Sequence, residues 1–136
     1  MVTKKKDLKV HASGRRKRSI ARATLTVGKG VVRINNQLLS KFSNSLARAR
    51  IEEPLILGKE VTEKFNINVN VSGGGVQGQA DAVRLAIGKA LVMHDKKLKG
   101  VFLAYDRSLV VADVRAKEKC KPGDSKARAK RQKSYR

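Results

Sequence analysis

Phe65-Asn66-Ile67-Asn68-Val69-Asn70-Val71-Ser72 runs directly into Gly73-Gly74-Gly75-Val76-Gln77-Gly78, and Gln79 to His94 follows. In the first eight residues apolar side chains hold every odd position and asparagine or serine every even one. That two-residue period marks a strand with one core face and one polar face. The glycine-rich hexapeptide suits positive φ or close backbone approach and is expected to lie outside any regular element. From Gln79 the period becomes helical, with Val83, Ala86, Ile87, Ala90, Leu91 and His94 on one stripe. Strand, glycine turn and helix therefore form one unit, and replacing Gly75 with valine is expected to disturb the turn and, with it, any docking of RNA there.

Gly73, Gly75 and Gly78 also satisfy G-x-G-x-x-G, with Asp95 at about the spacing of a dinucleotide fingerprint. The context argues against that chemistry, because the acid should end a second parallel strand, whereas Asp95 directly follows the helix. A phosphate-binding P-loop fails as well, since Gln79-Ala80 stands where Lys and Ser or Thr are required. Two readings remain. Either the glycines only permit a tight turn, or the N–H groups they open at a helix N-terminus seat a phosphate of any origin, an RNA backbone included.

On the N-terminal side, Val10 to Ser13 reads as a short strand and Ser19 to Val27 as a strand with one wet face. Gly28-Lys29-Gly30 is expected to turn Val31 to Asn35 back against it as a hairpin. Leu38 to Phe42 reads as one helical turn, and Ser45 to Leu57 as a short helix bent or interrupted at Pro54. Beyond the long helix, Lys96 to Tyr105 predicts a second helix on the same sheet face. Ser108 to Val114 is expected to add a last strand or lie extended against the body. About four strands and two or three helices that do not alternate strictly give an α+β two-layer sandwich, with the helices on one face.

The 136 residues allow one domain with a modest core. Against 11 Asp and Glu stand 32 Lys and Arg, a net charge of +21, and the excess is uneven. Residues 1–18 carry eight basic side chains and one acid, and residues 115–136 carry ten and two. The division expected is a basic arm over 1–18, a globular domain over 19–114 and a basic extension over 115–136. Arms of this composition bury too little apolar surface to fold alone, and their charge calls for a polyanionic partner. Arg15-Arg16-Lys17-Arg18 places four cations in a row, which also asks for a neutralising partner. Cys120 cannot form an intrachain disulfide, and with only His11 and His94 beside it there is no ligand set for a metal cluster. No cofactor, metal or small-molecule substrate is expected, and no catalytic constellation is present. With no long apolar run and no signal-like N-terminus, a cytoplasmic location is expected.

Three stretches together resemble the small-subunit ribosomal protein nine family in its archaeal and eukaryotic cytosolic form. Gly14-Arg15-Arg16-Lys17-Arg18-Ser19-Ile20-Ala21-Arg22-Ala23 is similar to that family's opening motif. Gly73 to Leu91 is similar to its G-G-G-x-x-G-Q signature. Asp113-Val114-Arg115, Glu118, Lys121-Pro122-Gly123 and the terminal Gln132-Lys133-Ser134-Tyr135-Arg136 complete the match. The resemblance implies a ribosomal S5 domain 2-like fold, bound to 16S-type ribosomal RNA and neighbouring ribosomal proteins in the head of the small subunit, in a role that is structural and not enzymatic. It assigns rRNA contacts to Arg15, Arg16, Lys17, Arg18, Arg22, Gly73, Gly74, Gly75, Gly78, Gln79, Arg115, Lys121, Arg128, Lys130 and Arg131. It assigns contacts with peptidyl-site transfer RNA near the decoding region to Lys133, Tyr135 and Arg136. Arg131 departs from the family, whose tails often carry an aromatic residue there, and Asp106 to Ala112 matches poorly. The rivals are a nucleotide-dependent enzyme using Gly73 to Gly78 and a nonspecific DNA-compacting protein, and the family motifs favour neither.

Overall fold

The computed structural model describes residues 9–134. The strands are β1 (Val10–Arg16), β2 (Ser19–Val27), β3 (Val32–Ile34), β4 (Gln37–Leu38) and β5 (Phe65–Ser72). The helices are α1 (Ser45–Leu57), α2 (Lys59–Thr62), α3 (Val76–His94) and α4 (Leu98–Tyr105), with 3-10 turns at Leu39–Lys41 and Arg107–Leu109. All lie in one α+β arrangement, a sheet ordered β1-β2-β5-β3-β4 under a helical layer.

The alternation in β5 does what its sequence predicts: Phe65, Ile67, Val69 and Val71 are buried, and Asn68, Asn70 and Ser72 are exposed. Ala21, Ala23 and Leu25 of β2 and Ile34 of β3 extend the same buried face. Onto it α3 lays Val83, Ala86, Ile87, Ala90 and Leu91, all buried, whereas His94 is exposed and touches Phe65 only edge-on, with ring centroids 4.4 Å apart. Small residues bring helix and sheet together. A Cβ at Gly14 of β1 would lie 2.3 Å from the Ala82 carbonyl oxygen and 2.7 Å from the Ala86 nitrogen, so only glycine fits where strand crosses helix. Phe102 of α4 is completely buried and closes the layer beside α1 and α3. Truncating such a phenylalanine to alanine costs about 3–5 kcal/mol.

Several expectations are corrected. The sheet has five strands, and β1 starts at Val10, inside the segment that charge alone assigns to the arm; seven registered pairs with β2 hold it there. Gly28 to Gly30 is not a hairpin turn, because β5 inserts between β2 and β3, antiparallel to the first and parallel to the second. The loop is instead pinned to β5, where Asn66 Oδ1 accepts from the Lys29 and Val31 N–H groups at 2.9 and 3.1 Å. The tight hairpin joins β3 to β4 through Asn35 and Asn36, at φ 47° and 67°, the left-handed pair asparagine tolerates. Pro54 stays inside α1, its ring buried in the core, while Asn44 caps the start by accepting from the Ala47 N–H at 3.0 Å. Residues 108–114 add no strand. Leu109 is buried against α3 at Gly88, where a Cβ would meet the Leu109 carbonyl oxygen at 2.3 Å. No helix among the described residues is long and apolar enough to cross a membrane.

Candidate nucleic-acid interface

α3 begins at Val76, three residues before the sequence period announces it, so Gly78 belongs to its first turn. Gly73 and Gly74 take φ +76° and +67° and wrap the β1–β2 turn: a Cβ at Gly74 would sit 2.2 Å from Ser19 Oγ, and one at Gly73 2.7 Å from the Arg18 carbonyl oxygen. Ser19, fully buried, donates to the Gly73 carbonyl at 2.9 Å, and Gln79 Nε2 donates to the same oxygen at 3.1 Å. The glycine loop and the basic tract, some sixty residues apart in sequence, are thereby locked together. Gly75 is different. Its φ is −106° and none of the described residues comes within 4 Å of the Cβ position, so the expectation that Gly75→Val disturbs the turn is not supported; the tight positions are Gly73 and Gly74.

Between the two motifs lies a cleft of about 1160 Å³, floored by Gly74 to Gly78, edged by Arg15, Lys17 and Arg18, and walled by Arg115 to Cys120. Lys17 holds a left-handed φ of 53°, an arrangement that costs about 1–2 kcal/mol in a non-glycine residue. α3 opens onto this cleft with no side-chain cap and no acid in its first turn, leaving N–H groups and the positive end of the helix dipole facing it. Arg15, Lys17, Arg18, Lys117 and Lys119 have no carboxylate partner among the described residues. Glu118, the acid in the wall, is matched by Arg128 at 2.7 Å, which holds its carboxyl below the usual range.

Arg16 points the other way. Its guanidinium meets Asp113, and lies 3.6 Å from Asp81, which also binds Arg50 at 2.8 Å. Asp113 also accepts from the Arg115 side chain at 2.8 Å and its N–H at 2.9 Å. These bonds, with the Arg16 charge, hold its carboxyl far below the carboxylate range. Alongside, Arg84 bridges Glu53 and Asp106, the latter at 2.8 Å. Burial pushes the Asp106 carboxyl up, but bonds from Ser108 and Arg84 outweigh it and the net direction is down.

Of the residues singled out from sequence, the structure brings together Arg15, Lys17, Arg18, Gly74, Gly75, Gly78 and Arg115, with Gly73 and Gln79 behind them. Arg22 lies on the open face of the sheet. Lys121, Arg128, Lys130, Arg131 and Lys133 are exposed along the extension, and Tyr135 and Arg136 lie outside the described residues. Lys117 and Lys119 were not anticipated, because nothing distinguishes them from other lysines of a basic tail until the extension is seen folding along the cleft. The dinucleotide alternative has no support in the topology: after α3 the chain enters α4, and among the described residues no strand follows for Asp95 to end.

A family model described as ribosomal protein S9/S16 matches residues 14–136. Among curated proteins, the small ribosomal subunit protein uS9 of Methanothrix thermoacetophila is 48% identical over 129 residues, covering 93% of this chain and 98% of the relative. Its counterpart in Thermoplasma acidophilum is 45% identical, covering 91% and 98%. That of Halobacterium salinarum is 46% identical, covering 93% and 98%.

Proposed function

The chain belongs to the ribosomal protein S9/S16 family, and on that footing we propose that, as a cytoplasmic structural constituent of the small ribosomal subunit, it grips small-subunit rRNA in its basic cleft and reaches peptidyl-site transfer RNA with its C-terminal end. The observation that carries the rRNA reading is the meeting of Arg15, Lys17, Arg18, Lys117 and Lys119 around an uncapped helix N-terminus, with no carboxylate partner among the described residues. Phosphates are what such a site lacks. Each one neutralised releases condensed counterions, so affinity comes with a steep salt dependence. Gly75 fits this reading too, since the chain's own packing does not require a glycine there, whereas a phosphate approaching the helix end closely would.

The extension beyond Arg115 is fastened at its root by Asp113 and then carries exposed cations outward. Its ordering entropy is met when it binds, the behaviour of a basic segment shaped by folded RNA. Lys133, Tyr135 and Arg136 end it, and a terminal guanidinium can hold two phosphate oxygens at once. Neighbouring proteins of the subunit head would complete the surroundings.

The test is a variant with Arg15, Lys17 and Arg18 all changed to alanine, titrated with an archaeal small-subunit rRNA transcript over a range of salt. A log–log salt slope shallower by about two units is expected, at about 0.7–0.9 per phosphate contact. Wild-type slope and affinity would overturn the cleft assignment. Deleting Tyr135 and Arg136 should leave subunit assembly nearly intact and weaken peptidyl-site transfer RNA binding; unchanged binding overturns the tail assignment. A preference for duplex DNA over the rRNA at physiological salt would favour DNA compaction instead.

A further inference from the structure

The helices cover one face of the sheet and leave the other open. Its outward residues line up across the strands by register: Ser13, Arg22 and Asn70 in one row, His11, Thr24, Asn68 and Arg33 in the next. Not one of the five strands contains an Asp or Glu, although mixed signs are the usual way to keep an exposed sheet face soluble. Asn68 and Asn70 are the telling pair. Asparagine is disfavoured in strands, and Asn66 has a fold reason, the loop it pins. Asn68 and Asn70 are exposed and make no side-chain hydrogen bond among the described residues, so the fold offers no reason for them. They lie on β5 between Arg22 of β2 and Arg33 of β3, cations two strands apart, about 10 Å across the sheet. Arg15, on the same face of β1, joins this surface to the cleft.

We propose that the open sheet face is a second RNA-binding surface, continuous with the cleft, on which Arg22 and Arg33 contact phosphates while the amides of Asn68 and Asn70 hydrogen-bond the sugar-phosphate backbone. This rests on the reading of the chain as an rRNA-binding protein. The face carries no Phe, Tyr or Trp, so it grips backbone and does not stack bases. An amide that both donates and accepts can bond a phosphate oxygen or a ribose 2′-hydroxyl.

Two double variants of the full chain test it, Arg22→Gln with Arg33→Gln and Asn68→Thr with Asn70→Thr, threonine being the better strand former. Both are titrated with the archaeal small-subunit rRNA transcript beside the Arg15, Lys17 and Arg18 triple variant. The arginine pair should lose about tenfold in affinity and about 1.5 units of salt slope. The asparagine pair should lose about fivefold with its slope unchanged and its melting temperature not lowered. Wild-type affinity in both double variants overturns the inference, and if the triple variant is still weakened the cleft reading stands alone. Loss in the double variants with none in the triple keeps the sheet surface and removes the cleft. A lowered melting temperature in the asparagine pair shows that those residues serve the fold and overturns their role. Weakened binding of polyglutamate but not of the transcript overturns RNA as the occupant and points to an acidic protein segment.

Discussion

Arg15 and Arg16 are neighbours in one strand, yet they belong to two differently built regions. Arg15 faces the cleft, where it, Lys17, Arg18, Lys117 and Lys119 have no carboxylate partner among the described residues. Arg16, on the other side of the pleat, enters a network in which Asp81, Asp113, Glu53 and Asp106 answer the guanidinium groups of Arg16, Arg50, Arg84 and Arg115. The period of two separates Arg15 from Arg16, and the turn after β1 returns Lys17 and Arg18 to the cleft side. Four of the chain's 11 acids gather where the extension leaves the body, so charge there fastens the chain to itself. What remains unmatched nearby is available to a partner. Net charge alone says nothing about this partition.

The largest loss is expected where the glycine loop wraps the basic tract. Gly74→Val combines a β-branched residue at φ +67° with a Cβ 2.2 Å from Ser19 Oγ, and should cost about 2–4 kcal/mol, from left-handed strain and overpacking together. The melting temperature and rRNA affinity should fall together, and a variant as stable as wild type would show that the loop is not clasped as described. Next comes Arg84→Ala. Its side chain is 13% exposed and holds Glu53, itself largely buried, so its loss should cost about 2 kcal/mol, below the 3–5 of a fully buried pair because both ends still see water. Thermal unfolding should register that loss while rRNA affinity at low temperature stays at wild type. A fall in affinity without a fall in stability would place Arg84 among the binding cations and erase the distinction. Gly75→Ala should do the reverse: with no described atom near the Cβ position and an ordinary φ it should leave the unfolding free energy within about 0.5 kcal/mol of wild type, and a loss of rRNA affinity of about threefold would mark close approach at the helix N-terminus.

Strand period, helix stripe and charged ends made β2, β5, α3 and α4 legible, because each signal is local and repeated. The order of strands was not, since nothing between Val27 and Val32 states that β5 will come between them; that is a long-range choice made by β5's buried face and by Asn66. The start of α3 was obscured by Gly78, whose low helix propensity masks a position required by contact with Ser19. The cleft's glycine loop and basic tract were visible as separate motifs, whereas Lys117 and Lys119 were not. The meeting of loop and tract was not visible either, nor was the withdrawal of Arg16, which depends on Asp81 and Asp113 arriving from opposite ends of the helical region.

Asp113 carries the smallest predicted effect and the cleanest separation of fastening from binding. Its carboxyl is held well below the ordinary range, by Arg115 first and then Arg16, so its charged form contributes stability above the unfolded carboxylate pKa of about 3.9 and that contribution is lost as pH falls toward the folded value. Asp106, shifted the same way, adds to the same acid limb. Asp113→Asn should therefore lower the melting temperature slightly at pH 7, where the carboxylate is fully ionised, and the two proteins should converge as pH falls below about 4. Asp106 remains in the variant, so part of the slope persists. Because the lost contact joins β1 to the root of the extension, cleavage by trypsin between Arg115 and Lys121 should quicken in the same variant, while the salt slope for rRNA stays put, since no phosphate-binding cation is removed. Parallel melting curves from pH 7 to 3, or a changed slope with unchanged proteolysis, would mean that Asp113 tunes the cleft's field and does not anchor the extension.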